Sequence, residues 1–273
     1  MGTLYLVATP IGNLEDITLR ALRILNQVGH IASEDTRHTG KLLHHYGIAT
    51  PQISYHEHNK QARLRRLMQA LETGDVALVA DAGMPGLSDP GFELVQAAIA
   101  AGHAVSPVPG ASAPVAALVA SGLPSEAFLY LGYLPRQAGA RRSLLETLAG
   151  EPRTLVFFEV PHRLRAALAD LARTLGGERP AAACRELTKL HEDIQRGTLA
   201  ALAAHFGEQT PRGEFTLVVA GALARAAWDE ARVRGEIARR RARGETPTQA
   251  ARQVARESGW ARRDVYRIAV EDG

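Results

Sequence analysis

Val76 to Ala80 is an unbroken apolar run that stops at Asp81 and passes into Ala82-Gly83-Met84-Pro85-Gly86-Leu87-Ser88-Asp89-Pro90-Gly91. A strand apolar at every position, not at every second one, suits a parallel sheet covered on both faces, and this commits the chain to an α/β architecture. Gly83, Gly86 and Gly91 allow backbone conformations that side chains oppose, while Pro85 and Pro90 fix φ and remove two amide donors. The result is a shaped loop, not a slack one. In open α/β sheets ligands collect beyond the carboxyl ends of the strands, so this loop is the first candidate for a site. An ordinary strand-to-helix connection is the plainer alternative.

The same rhythm recurs on either side. Leu4 to Ala8 reads as a first strand, followed by the turn Thr9-Pro10-Ile11-Gly12-Asn13 and a helix from about Ile17 to Leu25. Neither GxxxxGK[ST] nor GxGxxG follows it, which removes the usual nucleoside triphosphate and dinucleotide signatures. His30 to Ala32 leads into Ser33-Glu34-Asp35-Thr36-Arg37, a charged cluster of the kind that solvates a loop. Five histidines lie between His38 and His58, but their spacing matches no zinc pattern and no cysteine accompanies them. Arg63 to Glu72 and Phe92 to Ala101 read as helices, and Ala104 to Val108 as another parallel strand ending in Pro109-Gly110-Ala111-Ser112-Ala113.

Ser121-Gly122-Leu123-Pro124-Ser125 interrupts this pattern and marks a domain boundary. Beyond it, strands are expected at 128–133, 154–160, 181–185 and 215–220, with helices at 141–148, 164–175 and 199–205. From Arg225 the strands vanish, and twelve arginines stand against six acidic residues up to Arg267. Two short helical patterns, 248–257 and 261–270, flank Gly259 there. Three parts follow: 1–122, carrying the Pro/Gly loops; 123–223, a second α/β domain completing a cleft; and 224–273, a basic helical module.

A length of 273 residues accommodates these parts, and 46% hydrophobic with 22% charged residues is ordinary for a globular chain. The net charge of +3 and the arginine-rich end point to an anionic partner. A lone Cys184 excludes an internal disulfide. The first residues lack the basic leader of a signal peptide, and no apolar stretch is long enough to span a membrane, so a cytoplasmic location is expected.

The stretches ATPIGNLEDITLRAL, ASEDTR, DAGMPGLSDPG, PVPGASA, FFEVPHRL, CRELTK and RGEFTLVV occur in the order found in the tetrapyrrole methylase superfamily. Over about residues 3–222 the chain resembles the branch that 2′-O-methylates a cytidine ribose in the decoding region of 16S rRNA. The resemblance implies a two-domain α/β methyltransferase with a small helical module at its end. It also implies a homodimer, S-adenosyl-L-methionine as cofactor, and the small ribosomal subunit as partner. The cofactor residues so implied are Pro10, Ile11, Gly12, Asp81, Ala82, Gly83, Met84, Ser112 and Ala113, with Glu159 and Thr216 from the second domain. Corrin-type members read GDP where this chain has Ala80-Asp81-Ala82, which weighs against a small tetrapyrrole substrate.

A ribose hydroxyl is a weak nucleophile, so a positioned base helps to remove its proton, and no metal is needed. Asp35, Glu186 and Lys189 are the catalytic candidates, with Arg37 and Arg185 to hold phosphate. Salt bridges across the domains are the plainer role for each. Two further readings share the sequence: a methyltransferase for small tetrapyrroles, and a non-enzymatic RNA-binding assembly factor.

Overall fold

A computed structural model describes residues 1–208, 210–222 and 228–271. The first sheet holds β1 (Thr3–Val7), β2 (His30–Ser33), β3 (Gln52–Ser54), β4 (Val76–Val79) and β5 (Ala104–Val108). Its strand order is 3-2-4-1-5, and every pairing is parallel. The connecting helices are α1 (Leu19–Gln27), α2 (Thr36–His45), α3 (Lys60–Thr73) and α4 (Phe92–Ala100). Side chains alternate across a strand, so Ala77 and Val79 of β4 join Leu25 and Leu43 on one face, and Val76 and Leu78 join Leu67, Leu71 and Leu94 on the other. That double cover is why β4 is apolar throughout. Its neighbour is β1, so the loops that leave these two strands emerge side by side.

After α5 (Ala113–Ser121) come β6 (Phe128–Tyr133), α6 (Ala138–Thr147), β7 (Thr154–Glu159), α7 (Pro161–Leu175), β8 (Pro180–Arg185), β9 (Asp193–Thr198), α8 (Leu199–Glu208) and β10 (Phe215–Val219). The second sheet runs 6-7-10-8-9, and only β6 and β7 pair in parallel. One face carries Leu155, Phe157 and Leu217 into a core with Leu164, Leu168 and Leu202. The other face, with Val156, Cys184 and Val218, receives Ala117 and Leu118 of α5 together with Ile11. Residues Met1–Ala220 are therefore one compact unit. The break expected after Gly122 separates the two sheets in sequence, while α5 on its near side packs against the far sheet. Gly122 itself ends α5 in the left-handed region at φ 75°.

Gly221–Gly273 is the second unit. Residues 223–227, with which the basic segment was expected to begin, lie outside the described residues. There α9 (Glu230–Ala242), α10 (Pro247–Ser258) and α11 (Arg262–Glu271) close around Val233, Ile237, Val254, Val265 and Ile268. A capping box of Thr246 and Gln249 starts α10, and Gly259 at φ 73° ends it. No helix among the described residues is long and apolar enough to cross a membrane.

The sequence reading missed two α-helices and two strands. α2 begins within what read as a solvated charged loop, because Asp35 is the N-cap whose carboxylate accepts from the Arg37 amide at 2.8 Å. β3 and β9 are edge strands of mixed polarity. α9 lay hidden among arginines, with only Val233 and Ile237 buried.

Candidate active site

The loops after β1 and β4 are stitched together. Thr9 donates its amide to the Gly83 carbonyl at 2.9 Å and accepts from the Gly83 amide at 3.1 Å, and its hydroxyl donates to the Ala80 carbonyl at 3.0 Å. Gly83 makes this bridge at φ 77°, where a side chain is disfavoured. Beyond the bridge a cleft of about 300 Å³ opens between the carboxyl ends of the first sheet and the second sheet. That lies at the small end of the ~300–1,000 Å³ usual for ligand pockets.

The first half lines the cleft with Ile11, then Asp81 to Met84, then Ser112 and Ala113; the second half supplies Glu159, Thr216, Glu186 and Lys189. These eleven were all expected from the sequence. Pro10, Gly12, Asp35, Arg37 and Arg185 stand outside the lining. Gly12 lies directly beneath the Lys189 stem. The Asp35 carboxylate is taken up by the start of α2 and by Arg37, which hold it below the usual aspartate range. Arg37 is 90% exposed, and Arg185 is half-buried at the end of β8.

Two carboxylates that the sequence reading passed over complete an acidic wall. Glu34 follows β2 and Asp89 lies in the β4 loop, and both line the cleft with Asp81. Burial first, then the charges of Glu34 and Asp81, push the Asp89 carboxyl up to about 7. Burial and Asp81 likewise raise Glu34. The signal for finding them was topological: β2 and β4 are neighbours, so acids just past their ends converge, whatever their separation in sequence.

Opposite this wall sits an ion-paired cluster. Lys189 Nζ bonds Glu186 Oε1 at 2.9 Å and Glu214 Oε2 at 2.9 Å, and Glu186 also accepts from the Glu214 amide at 2.9 Å. Burial works to raise Glu186, but the Glu214 amide and the Lys189 ammonium outweigh it and hold the carboxyl low. Burial would lower Lys189, and its two carboxylate partners overcome it, so the ammonium stays charged. Glu186 at φ 50° and Thr188 at φ 66° are left-handed without being glycine, as is Ser88 at φ 66° across the cleft. Such conformations cluster at functional sites. Gly213 makes room here, since a Cβ would lie 2.5 Å from Glu186 Cγ.

Glu159 is fully buried at the end of β7, raised by burial, with its carboxylate accepting from the Val160 amide at 2.9 Å and paired with Arg163. Cys184 also lines the cleft, but burial pushes its thiol up to about 11, which removes it as a nucleophile near neutrality. No metal-ligating group of side chains occurs among the described residues. The donor set fits S-adenosylmethionine. The acidic wall complements a cation, small residues at 82, 83, 112 and 113 leave room, and Ile11, Met84 and Leu187 offer apolar surface.

Residues 3–203 match the family described as Tetrapyrrole (Corrin/Porphyrin) Methylases. The chain is 51% identical to a ribosomal RNA small subunit methyltransferase I from Synechocystis sp., over 99% of this chain and 98% of the relative. It is 49% identical to the protein of that name from Halalkalibacterium halodurans, over 98% and 94%. The crystal structure of uroporphyrin-III C-methyltransferase from Thermus thermophilus complexed with S-adenosylhomocysteine superposes with a TM-score of 0.55 at 23% identity, over 80% of this chain and 97% of that one. With residues 3–203 matched by the family and relatives about half identical over nearly the whole chain, the chain belongs to the tetrapyrrole methylase family.

Proposed function

We propose that this protein methylates the ribose 2′-hydroxyl of a cytidine in the decoding region of 16S rRNA, acting on the small ribosomal subunit. S-adenosylmethionine supplies the methyl group from its sulfonium. The observation that carries the chemistry is Asp89, a carboxyl raised to about 7 on the cleft wall. A base titrating near the working pH combines availability with affinity for the proton. Asp89 takes the proton of the 2′-hydroxyl as its oxygen bonds to the methyl carbon and the carbon–sulfur bond breaks, leaving a 2′-O-methyl ribose and S-adenosylhomocysteine. Of the three catalytic candidates read from the sequence, Asp35 and Glu186 are held low by hydrogen bonds and ion pairs, so they suit positioning better than proton abstraction. Lys189 keeps a charged ammonium at the cleft to meet a phosphate. Arg185 acts on Glu186 beside it, and exposed Arg37 lies with Asp35 outside the cleft lining; both are offered to hold phosphate.

The rRNA substrate draws on the relatives' names and on the arginine-rich second unit. Two copies are expected to associate, and exposed Phe92 and Ile99 on α4 with Val115 and Val119 on α5 offer apolar surface for it. Light scattering checks this: a single-copy mass at micromolar concentration excludes it. The deciding experiment for function is methyl transfer to small subunits lacking ribose methylation, with the site mapped by mass spectrometry. Methyl groups on bases alone, or on an added tetrapyrrole alone, would overturn the proposal.

A further inference from the structure

We propose that Tyr133 is the platform on which the base of the target nucleotide stacks, a role that rests on the rRNA reading above. The backbone of β6 is built to put that ring in the cleft. Side chains alternate along a strand, so Tyr133 would share a face with Leu129 and Leu131, which pack into the helix-covered core. The register instead shifts between Tyr130 and Tyr133: Tyr130 pairs with Val156, whereas Tyr133 pairs with Phe158. Three steps on β6 match two on β7. This irregularity turns Tyr133 onto the Tyr130 face, as bulges beside functional sites do. Gly132 absorbs the turn at φ 63°.

The other half of the cleft locks this arrangement. Ser88, itself left-handed, bonds the Tyr130 hydroxyl at 2.7 Å through its Oγ, and a Cβ on Gly132 would stand 3.0 Å from that oxygen. Tyr130 and Tyr133 each meet Phe158 at 5.4 Å between ring centroids, at interplanar angles of 76° and 54°. Tyr133 is thereby buttressed on one side and left 51% exposed on the other, with Phe158 beside it in the lining. A large ring kept half in water at a cleft wall gains from a flat partner with a π-face. Single-stranded and flipped-out bases are held in this way. Burial, then the charges of Glu214, Asp89 and Glu159, raise the Tyr133 hydroxyl, so the ring stands among the carboxylates of the cleft.

The test compares Tyr133→Leu, Tyr133→Phe and Tyr133→Trp, using small subunits lacking ribose methylation and calorimetry with S-adenosylmethionine. Tyr133→Leu should lower kcat/KM for the subunit about tenfold to a hundredfold, the size of one lost base stack. Its donor affinity should be unchanged, and the two aromatic variants should retain most of the activity. A shared melting temperature excludes misfolding. Equal kcat/KM for the leucine and phenylalanine variants overturns the platform and leaves the rRNA reading standing. Loss of donor affinity in parallel with activity assigns the ring to the cofactor instead. Wild-type protein that transfers no methyl to ribosomal RNA defeats the underlying reading itself, and the platform with it.

Discussion

The aliphatic stem of Lys189 runs across Gly12 so closely that a Cβ there would lie 2.3 Å from its Cγ and 3.1 Å from the Leu187 carbonyl. The loop after β1 thus sets the height at which a second-half ammonium meets its two carboxylates. Gly12→Ala should push the stem aside and break the pairing with Glu186 and Glu214. Overpacking of this kind costs about 1–3 kcal/mol, a drop of roughly 2–12 °C in melting temperature for a unit this size. We expect methyl transfer to fall by about tenfold, one power of ten for each ~1.4 kcal/mol of lost positioning. A variant with the parent rate would show that the height of Lys189 is immaterial.

Asp89 predicts a pH profile. With its carboxyl near 7, turnover should climb through neutrality and level off above it. Asp89→Asn should abolish that limb and cost about 10² to 10⁴ in rate. Stability runs the other way. The folded carboxyl ionises at about 7 and the unfolded one near 3.8, so between those values the folded state holds more protons, and stability declines as pH rises. The asparagine variant should therefore melt higher than its parent at pH 8 and not at pH 4. Thermal scans at the two pH values check the sign.

Gly83 forms both backbone bonds to Thr9 at φ 77°, and its nearest neighbour for an added Cβ is Ile11 Cγ2 at an ordinary 3.4 Å. Conformation and not crowding is the constraint. Gly83→Val should cost about 1–3 kcal/mol of local strain and weaken S-adenosylmethionine binding by about tenfold as the bridge opens. Calorimetry showing parent affinity would place the donor elsewhere.

The arginines of the second unit are not equivalent. On α9, Arg234 pairs with Glu230, Arg239 and Arg240 with Glu236, and Arg240 also with Glu257. Arg262 and Arg267 on α11 have no such partner among the described residues, and Arg263 has only Asp264 at 3.5 Å. Removing these three together should lower the salt dependence of RNA binding by roughly 0.7–0.9 log units for each phosphate left unneutralised. Replacing Arg239 should leave the slope nearly unchanged. Equal slopes for both variants would deny the unit a docking role.

What the sequence disclosed followed burial. β4 was legible because both its faces are covered, and the helices of the first unit other than α2 because their apolar stripes meet a core. β9 was not: Asp-Ile-Gln-Arg-Gly-Thr pairs only with β8, at an edge, where solvent permits polar side chains and the pattern dissolves. The cleft was legible wherever a loop announced itself with glycine and proline. Glu34 and Asp89 stand 55 positions apart and become neighbours through strand order, which no local spacing encodes. Tyr133 escaped for a related reason. Its outward turn depends on one irregular step, while sequence alternation assigns it to the opposite face.

Arg141 and Asp170 form a buried pair between α6 and α7, with Nη2 2.6 Å and Nε 2.8 Å from the same carboxylate oxygen. Asp170→Ala would strand a guanidinium that is 6% exposed. Loss of one partner from such a pair costs about 3–5 kcal/mol, or roughly 6–20 °C in melting temperature at this size. Donor affinity measured well below that transition should be unaffected, because neither residue reaches the cleft.

β1 is made before β2 to β5 yet sits inside their sheet, between a strand that starts at Val76 and one that starts at Ala104. During synthesis at about 5–20 residues per second, its apolar edge waits several seconds for the first neighbour and longer for the second. Until the first has passed, Thr9 has no Gly83 to bond, and when the second arrives the loop that will carry Lys189 has still not been translated. Birth of the cleft is thus a late event, and it is in the earlier interval in which β1 stays unpaired, more than in the finished protein, that a holding chaperone would find its client.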